Sequence, residues 1–310
     1  PAEVAARAWM AIGSSPRIPA PMLPTIADDS LFAGRYQLLN KLGIGGQSIV
    51  FLAQDLGLGD KPLVALKVLD LPPSRTFDPR QTAIFLREAY QMARVESPHV
   101  VRLLDFGQDQ GTFYMAQEYV DGMNVGELVE KHHALPEHTL LHILQDCSRA
   151  LAALHEEGIV HRDIKPTNIM ITDENDVKIL DFGLSRGTHD QSLSDEYFRG
   201  TPFFAAPEYI LGEKVLDIRL DVYSLAVTLY YAATGEYPFR DETPAGTLRQ
   251  HLYSRCRPLY DVCPNITEEF SNLIVQMMAK NRDDRPYPLD ILKRAITLSA
   301  RFDGETAQLL

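Results

Sequence analysis

The chain of 310 residues is long enough for one large domain or two modest ones, and its 45% apolar and 23% charged residues are typical of a globular protein. Its formal net charge of −12 argues against a nucleic-acid-binding surface, which needs clustered lysine and arginine. The longest nearly apolar run, residues 222–233, is too short to cross a bilayer and predicts a buried core helix.

Three cysteines, Cys147, Cys256 and Cys263, are odd in number and show no metal-ligand spacing, which favours reduced thiols. The chain begins with proline rather than methionine, and no signal peptide precedes the predicted fold. We therefore expect a cytoplasmic protein, or the cytoplasmic domain of a longer, membrane-anchored one.

The first 32 residues divide into two pieces. Residues 2–12 have helical composition, and residues 13–24 carry four prolines, which is typical of an extended linker. The only tryptophan, Trp9, lies in the first piece. Two interpretations stay open, a weakly ordered leader and a short helix that docks Trp9 on the main domain.

The remaining chain has a first part with mainly strand patterns and a second part with mainly helix patterns. Strands are predicted over residues 36–42, 49–54, 63–69, 100–106 and 112–118, with one helix over 82–95. Helices are predicted over residues 125–132, 140–156, 217–234, 244–253, 268–278 and 288–300. The sequence therefore predicts an α+β chain, with a small lobe of five antiparallel strands and one helix followed by a mainly α-helical lobe. A cleft between two such lobes would be a natural ligand site.

The most informative segment is the string HRDIKPTN, which ends at Asn168 and is followed thirteen residues later by DFG beginning at Asp181. Asp163 is the candidate to orient an attacking hydroxyl and accept its proton, and Lys165 can neutralise charge on a moving phosphate. Asn168 and Asp181 offer the hard oxygen ligands that Mg²⁺ prefers. The spacing suits transfer of a metal-bound phosphoryl group.

These two motifs, in this order, resemble the catalytic and metal-binding loops of eukaryotic-type (Hanks-type) protein kinases, and the overall pattern is most similar to bacterial eukaryotic-like serine/threonine kinases. The resemblance implies a bilobal kinase fold, with ATP and Mg²⁺ as cofactors and Mn²⁺ as an alternative metal. The implied organisation is an N-terminal extension (1–32), an N-lobe (33–117), a hinge (118–122), a C-lobe (123–298) and a tail (299–310).

The glycine-rich string from Gly43 to Val50 would approach phosphates with its backbone N–H groups, because its glycines lack side chains. A dinucleotide-binding fold would continue into a helix, whereas this chain continues as a β-branched strand, which fits the kinase loop over ATP. Ser48 takes the third glycine position of the pattern. The residues of this region expected around the nucleotide are Leu42, Gly43, Gly45, Gly46, Ser48, Val50 and Ala65.

Lys67 ends the string VALK and matches the family's strand lysine, which holds the α- and β-phosphates and pairs with a helix glutamate. Glu88 is the best candidate partner, because Glu96 lies past the predicted helix beside Pro98. The alternative is that Glu88 is a solvated helix charge. Glu88 and Met92 are four residues apart and would share one helix face.

The string QEYVDG, which begins at Gln117, resembles the family's hinge. Backbone groups of Glu118 and Val120 would bond the adenine edge, and Gln117 would guard the rear of the pocket. Asp121 and Asn124 are candidate ribose contacts, with simple loop polarity as the alternative.

His161 resembles the family's structural core histidine rather than a base. Arg162 lies beside the catalytic aspartate and must be neutralised, which in the family is commonly done by a phosphorylated residue of the activation segment, here residues 181–208. We hypothesise that the acidic residues before Gly200 partly stand in for phosphate. The candidate phosphorylation sites are Thr188, Ser192, Ser194 and Tyr197.

Lys165 and Thr201 favour a serine or threonine hydroxyl as the acceptor. A lysine two residues after Asp163 is typical of the serine/threonine branch, and Thr201 would support it from the substrate-binding loop. Phe203 and Phe204 replace the commoner Tyr-Met sequence before the A-P-E motif, so the preference among protein substrates stays open.

Three further residues are expected to be structural, because a buried carboxylate needs a partner. Glu208 of the A-P-E motif is predicted to pair with Arg285. Asp221 is predicted to brace the catalytic loop from a buried helix.

The implied function is transfer of the γ-phosphate of Mg-ATP to protein hydroxyls, with autophosphorylation, regulation through the activation segment and a kinase–kinase dimer as further expectations. One alternative is a pseudokinase scaffold, which typically lacks one of the residues that correspond to Lys67, Asp163 and Asp181. Another is a small-molecule phosphotransferase of kinase fold, which usually lacks the A-P-E segment and the aspartate on the buried helix.

Overall fold

The computed structural model describes residues 31–44, 48–69, 79–181 and 202–302. The chain divides into two compact units. The sheet unit comprises residues up to 96 together with 101–120, and the helical unit comprises residues 97–100 and those from 121 onward. No helix within the described ranges is both long enough and apolar enough to span a membrane.

The sheet unit contains five antiparallel strands in the order β1-β2-β3-β5-β4, with one helix, α1, inserted between β3 and β4. The bounds are β1 Tyr36–Ile44, β2 Ser48–Asp55, β3 Leu63–Leu69, α1 Pro79–Met92, β4 Leu103–Asp109 and β5 Thr112–Glu118.

The strand register shows which residues lie on each face of this sheet. Val50 lies opposite both Gly43 and Lys67, and Ala65 lies opposite Gln117. Opposed residues, and residues two apart on one strand, share a face, so all five of these residues lie on the same side. The other side is packed with apolar side chains. They are Phe32, Tyr36, Ile49, Phe51, Ala53, Val64, Leu66, Val68, Tyr114 and Ala116.

Arg35 fixes the start of β1 to the rest of the sheet. Its guanidinium donates to both carboxylate oxygens of Asp55, each at 2.6 Å, and to Asp105 Oδ2 at 2.7 Å. The Tyr36 hydroxyl donates to the same Asp105 oxygen at 3.1 Å. Burial, and then the nearby Asp105 carboxylate, raises the pKa of Tyr36, so this hydroxyl stays a donor.

The helical unit contains seven helices and a small antiparallel sheet within the described residues. The helices are α2 Val125–His132, α3 Glu137–Glu156, α4 Pro207–Ile210, α5 Arg219–Thr234, α6 Pro244–Tyr253, α7 Glu268–Met277 and α8 Pro288–Ser299. The strands are β6 Gly122–Asn124, β7 Ile169–Thr172 and β8 Val177–Ile179. The apolar run 222–233 lies inside α5 and is buried along nearly its whole length, as predicted.

Asn124 begins α2 through a capping box. Its side-chain oxygen accepts from the Glu127 N–H at 3.0 Å, and the Glu127 carboxylate accepts from the Asn124 N–H at 2.8 Å. This use of the side chain favours the structural interpretation of Asn124 over the ribose contact.

Ser97–Val100 belongs to the helical unit although it connects α1 with β4. The His99 carbonyl accepts from the Ile179 N–H at 2.9 Å, and Val100 forms an isolated parallel bridge with Ile179. This pairing explains why β4 begins at Leu103 rather than at residue 100, where the sequence pattern predicted it.

The predicted α+β class, with a five-stranded antiparallel sheet and one helix followed by a mainly helical part, is confirmed. Some details were wrong. Helix α1 spans Pro79–Met92 rather than 82–95, and β4 spans Leu103–Asp109 rather than 100–106. Helix α4 and the strands β6, β7 and β8 were not predicted.

Candidate active site

Asp221 fixes the backbone of the loop that carries Asp163. Its carboxylate is fully buried on α5 and accepts from the N–H groups of His161 at 2.7 Å and Arg162 at 2.8 Å. Arg162 has a φ of 69°, a strained value for a residue with a side chain, and the two hydrogen bonds help to hold it there. Burial raises the pKa of Asp221 to about 7, opposed by the two backbone donors. Asp221 therefore braces the loop as predicted.

His161 is a structural residue of the same loop, in line with the sequence interpretation. It is fully buried, and its Nε2 lies 2.8 Å from the Leu180 carbonyl. Its Nδ1 lies 3.3 Å from the Asp163 backbone nitrogen, which can only donate, so we assign the hydrogen to Nε2. Burial is the main cause that lowers its pKa and keeps the ring neutral.

Asp163, Lys165 and Asn168 form one hydrogen-bonded group. Lys165 Nζ donates to Asp163 Oδ2 at 2.7 Å, and Asn168 Nδ2 donates to the same oxygen at 3.0 Å and to the Asp163 carbonyl at 2.8 Å. Asn168 is buried in the 3₁₀ turn Pro166–Asn168, whereas Lys165 is half-buried. The carboxylate orientation is thus set by two donors from its own loop.

Asp181 is held near Asn168 through the residue that precedes it. The Leu180 N–H donates to the Asn168 carbonyl at 2.8 Å, while the Leu180 carbonyl accepts from His161. Asp181 itself is half-buried and has a φ of 41°, so the chain turns sharply as it leaves β8. Both candidate metal ligands therefore belong to one backbone-bonded group.

In the sheet unit, Lys67 on β3 and Glu88 on α1 form a buried ion pair. Lys67 Nζ lies 2.7 Å from Glu88 Oε1, and the two side chains are 10% and 5% exposed. One turn along α1, Met92 Sδ accepts from Gln117 Nε2 at 3.4 Å. Gln117 is therefore buried against the helix that carries Glu88, on the sheet face shared with Lys67.

The other expected nucleotide contacts differ in exposure. Ser48 is buried, Val50 and Ala65 are partly buried, and Leu42 is 47% exposed at the outer strand. Glu118 and Val120 are partly buried at the end of β5, and the Glu118 N–H donates to the Arg102 carbonyl at 2.9 Å. Several expected residues lie outside the described ranges. They are Gly45, Gly46, Thr188, Ser192, Ser194, Tyr197 and Thr201.

The A-P-E motif is anchored by the predicted pair. Arg285 donates to both carboxylate oxygens of Glu208, at 2.7 and 2.8 Å, and both side chains are buried.

Helix α5 also holds the 3₁₀ turn Pro202–Phe204, through a contact that sequence reasoning missed. Ser224 Oγ donates to the Phe204 carbonyl at 2.8 Å. The contact was missed because a single serine in an apolar helix forms no recognisable sequence pattern. The only sequence signal near it was the unusual Phe203-Phe204 pair.

The comparisons with known proteins agree with this geometry. A family profile described as protein kinase domain matches residues 36–295. The chain is 37% identical over 258 residues to the serine/threonine-protein kinase PknB of Mycolicibacterium smegmatis, covering 81% of this chain and 40% of that protein. It is 35% identical over 263 residues to PknB of Mycobacterium tuberculosis, covering 83% of this chain and 41% of that protein. It is 27% identical over 276 residues to a probable PknB of Lactococcus lactis, covering 88% and 43%. The chain thus spans less than half the length of these curated relatives.

Proposed function

Because the chain belongs to the protein kinase family, we propose that it transfers the γ-phosphate of ATP to serine and threonine hydroxyls of proteins. The observation that carries this proposal is the group formed by Asp163, Lys165 and Asn168, in which one carboxylate oxygen accepts from both neighbours. The names of the relatives, all serine/threonine kinases, support the choice of acceptor.

Asp163 orients the attacking hydroxyl and accepts its proton. Lys165 and Asn168 hold the carboxylate through Oδ2, so the aspartate does not have to reorganise when the substrate arrives. Lys165 also offers positive charge beside this carboxylate, where the transferred phosphoryl group would carry negative charge.

Asn168 and Asp181 fit a hard divalent cation. The Asn168 amide nitrogen is used on Asp163, and its Oδ1 accepts no hydrogen bond from the residues that the structure describes, so this oxygen is suited to face a metal. Asp181, which follows the residue bonded to the Asn168 carbonyl, would supply a carboxylate, and such oxygen ligands suit Mg²⁺ or Mn²⁺. The bound metal would neutralise phosphate charge during transfer.

Lys67 holds the α- and β-phosphates, and Glu88 keeps its ammonium in place. The nucleotide face of the sheet unit would also include Gly43, Val50 and Ala65, since they share the side of Lys67. At the hinge, the Glu118 amide already donates to Arg102, so we assign the adenine contact of this residue to its carbonyl.

Several finer proposals accompany this function. Autophosphorylation occurs in residues 181–208, and these residues regulate the kinase activity together with Arg162. The kinase domain comprises residues 33–298, with a hinge at 118–122. Two kinase domains associate as a dimer, and the protein is cytoplasmic or the cytoplasmic domain of a membrane-anchored protein.

The test is transfer of label from [γ-³²P]ATP to protein substrates by wild type, by Asp163→Asn and by Asp173→Asn, a control at an exposed aspartate. We expect labelled phosphoserine or phosphothreonine with wild type and the control, and a loss of about 10³-fold or more with Asp163→Asn. A wild type that binds ATP but labels nothing would indicate a pseudokinase. Label found only on small molecules would indicate a small-molecule phosphotransferase.

A further inference from the structure

Strand β8 leads directly to Asp181, so the position of this strand decides where that carboxylate lies. It contains only three residues and lies at the edge of the small sheet, whose order is β6-β7-β8. Asp181 follows it after a single residue, Leu180, with a φ of 41°. Because so short a strand has few ladder hydrogen bonds of its own, contacts along its outer edge are important for its rigidity.

One residue, His99, occupies the outer edge of β8 with both its backbone and its side chain. Its carbonyl accepts from the Ile179 N–H at 2.9 Å, and its Nδ1 lies 3.2 Å from the Val177 carbonyl oxygen. Residues two apart on a strand direct their backbone groups to the same side, so both contacts fall on one edge. The imidazole therefore supplies the donor that a neighbouring strand would otherwise provide.

The Asp146 carboxylate on α3 selects the tautomer of His99 that this contact needs. A carbonyl oxygen can only accept, so we assign a hydrogen to His99 Nδ1. Asp146 Oδ2 lies 3.6 Å from the same nitrogen and favours this hydrogen, because a bare Nδ1 lone pair would face two oxygens. The Asp146 side chain is 7% exposed, and its Oδ1 accepts from Arg149 Nη1 at 2.5 Å, which fixes its orientation.

The same carboxylate also faces His142, which holds the turn that precedes β8. His142 Nε2 lies 3.8 Å from Asp146 Oδ2 and donates to the Asn175 carbonyl at 2.6 Å. The two histidines thus share one acid, but His142 contacts the turn whereas His99 contacts the strand. This difference makes His142 a matched comparison for His99.

The position of β8 is passed to the candidate metal ligands through the backbone. Ile179 lies opposite Ile169 of β7, and the Leu180 N–H donates to the Asn168 carbonyl at 2.8 Å. A shift of β8 would therefore move Asp181 relative to Asn168.

We propose that His99 and Asp146 are positioning residues for Asp181, in which Asp146 fixes the tautomer of His99 and His99 holds the outer edge of β8. This inference rests on the proposed function, because it concerns how the candidate metal ligands of that same site are placed. It gives a function to two residues that lie outside the catalytic and metal-binding loops.

The first test measures hydrogen exchange of the Ile179 and Leu180 amides by NMR, without metal or nucleotide. We expect exchange about five- to tenfold faster in His99→Ala and in Asp146→Asn, since each weakens one buried hydrogen bond. His99→Gln should stay near wild type, because its amide can donate without a choice of tautomer. For the same reason, Asp146→Asn should have little further effect when it is combined with His99→Gln.

The second test measures Mn²⁺ binding in the presence of ADP by electron paramagnetic resonance. We expect His99→Ala to weaken Mn²⁺ binding about tenfold, whereas His142→Ala should leave it near wild type. In the transfer assay, His99→Ala should need more Mg²⁺ for half-maximal activity while KM for the protein substrate stays unchanged. This split distinguishes a positioning residue from one that only stabilises the fold, and the thermal midpoint of each variant identifies unfolding.

The outcomes separate this inference from the proposed function. Unchanged exchange and Mn²⁺ affinity in His99→Ala, or equal losses in His142→Ala, would overturn the inference and leave the proposed function intact. A wild type that binds no Mn²⁺ would overturn it as well. Should His99→Ala fail to fold, equal effects of Asp146→Asn with and without His99→Gln would overturn the tautomer role. Mn²⁺ binding that depends on His99, in a wild type that transfers no phosphate, would support the inference and reject the proposed function.

Discussion

Arg285 holds Glu208 with both of its terminal nitrogens, at 2.7 and 2.8 Å, while the two side chains are 0% and 2% exposed. The same guanidinium donates from Nε to the Ala279 carbonyl at 2.8 Å. A buried pair of this kind contributes little compared with an apolar replacement of both partners, yet removing one partner leaves an uncompensated charge in the interior. The A-P-E segment therefore depends on a cation 77 residues further along the chain.

We expect Arg285→Ala to lower the free energy of unfolding by about 3–5 kcal/mol, because Glu208 would stay buried without its partner. Urea unfolding monitored by circular dichroism measures this change. The control is Arg301→Ala, whose pair with Glu269 has side chains 51% and 55% exposed and should contribute little to stability. Equal losses in the two variants would contradict the prediction.

Removal of either partner of the Lys67–Glu88 pair should reduce catalysis. We expect Lys67→Ala and Glu88→Ala each to lower kcat/KM by about 10²-fold or more, since each disturbs the position of the same ammonium. The double variant should lose little beyond the larger single loss, because the two residues act as one unit. Additive losses in this double-mutant cycle, measured with ATP as the varied substrate, would show that Glu88 does not act through Lys67.

Asn168→Ala should raise the Mg²⁺ concentration needed for half-maximal activity by about 10-fold or more, because a ligand oxygen is lost. It also removes the hydrogen bond to Asp163 Oδ2, so kcat should fall even at saturating metal. A titration of activity with Mg²⁺ and Mn²⁺ separates the two effects. Asn265→Ala, at an exposed asparagine, serves as the control. An unchanged metal requirement in Asn168→Ala would contradict the proposed ligand role.

His251 should make the protein less stable in mild acid. It is fully buried, its Nδ1 lies 2.9 Å from the Tyr223 hydroxyl, and burial and then nearby Lys280 lower its pKa to about 3. Because the folded state binds fewer protons than the unfolded one between pH 3 and 6.5, stability is lost as the pH falls through this window.

From pH 7.5 to 5 we expect His251 to remove about 2 kcal/mol from the free energy of unfolding, since its unfolded pKa is about 6.5. His251→Gln does not titrate and should lack this loss, which urea unfolding at the two pH values measures. Asp221, whose pKa is raised to about 7, changes the free energy of unfolding with pH in the opposite direction. Both proteins contain Asp221, so its contribution cancels in the comparison. Parallel pH profiles for the two proteins would contradict the prediction.

Gly235→Ala should be more destabilising than Gly158→Ala, although both glycines have left-handed backbones, with φ of 73° and 66°. The strain of an alanine in this region costs about 1–2 kcal/mol at either position. At Gly235 the new methyl group also meets the His133 carbonyl oxygen, whereas nothing lies within 4 Å at Gly158. Thermal unfolding should therefore show the lower midpoint for Gly235→Ala. An equal decrease at both sites would mean that the turn can shift without cost.

The candidate catalytic loop could be located from the sequence because its functional side chains lie within one short stretch of residues. Asp163, Lys165 and Asn168 are close in the chain, and the loop brings them together with local hydrogen bonds. The main strands and helices were also predictable, since each is long enough to show its hydrophobic period.

The features that the sequence could not predict are either very short or depend on partners far away in the chain. Strands of three or four residues, such as Val177–Ile179, are too short to show a period of two. Val100 has the apolar character of a strand, but it pairs with Ile179 rather than with β5. The contact from Ser224 to Phe204 joins a hydroxyl to a backbone carbonyl, which leaves no trace in local composition.

The pairing of His99 with Ile179 also has a consequence for how the chain folds. His99 and Val100, in the segment that connects α1 to β4, find their partner about 80 positions later, at Ile179 of β8. A fragment that ends at Val120 would contain every strand of the larger sheet and yet lack the surface on which Ser97–Val100 docks. The segment that carries His99 and Val100 should therefore dock only after the chain has been synthesised beyond Leu180.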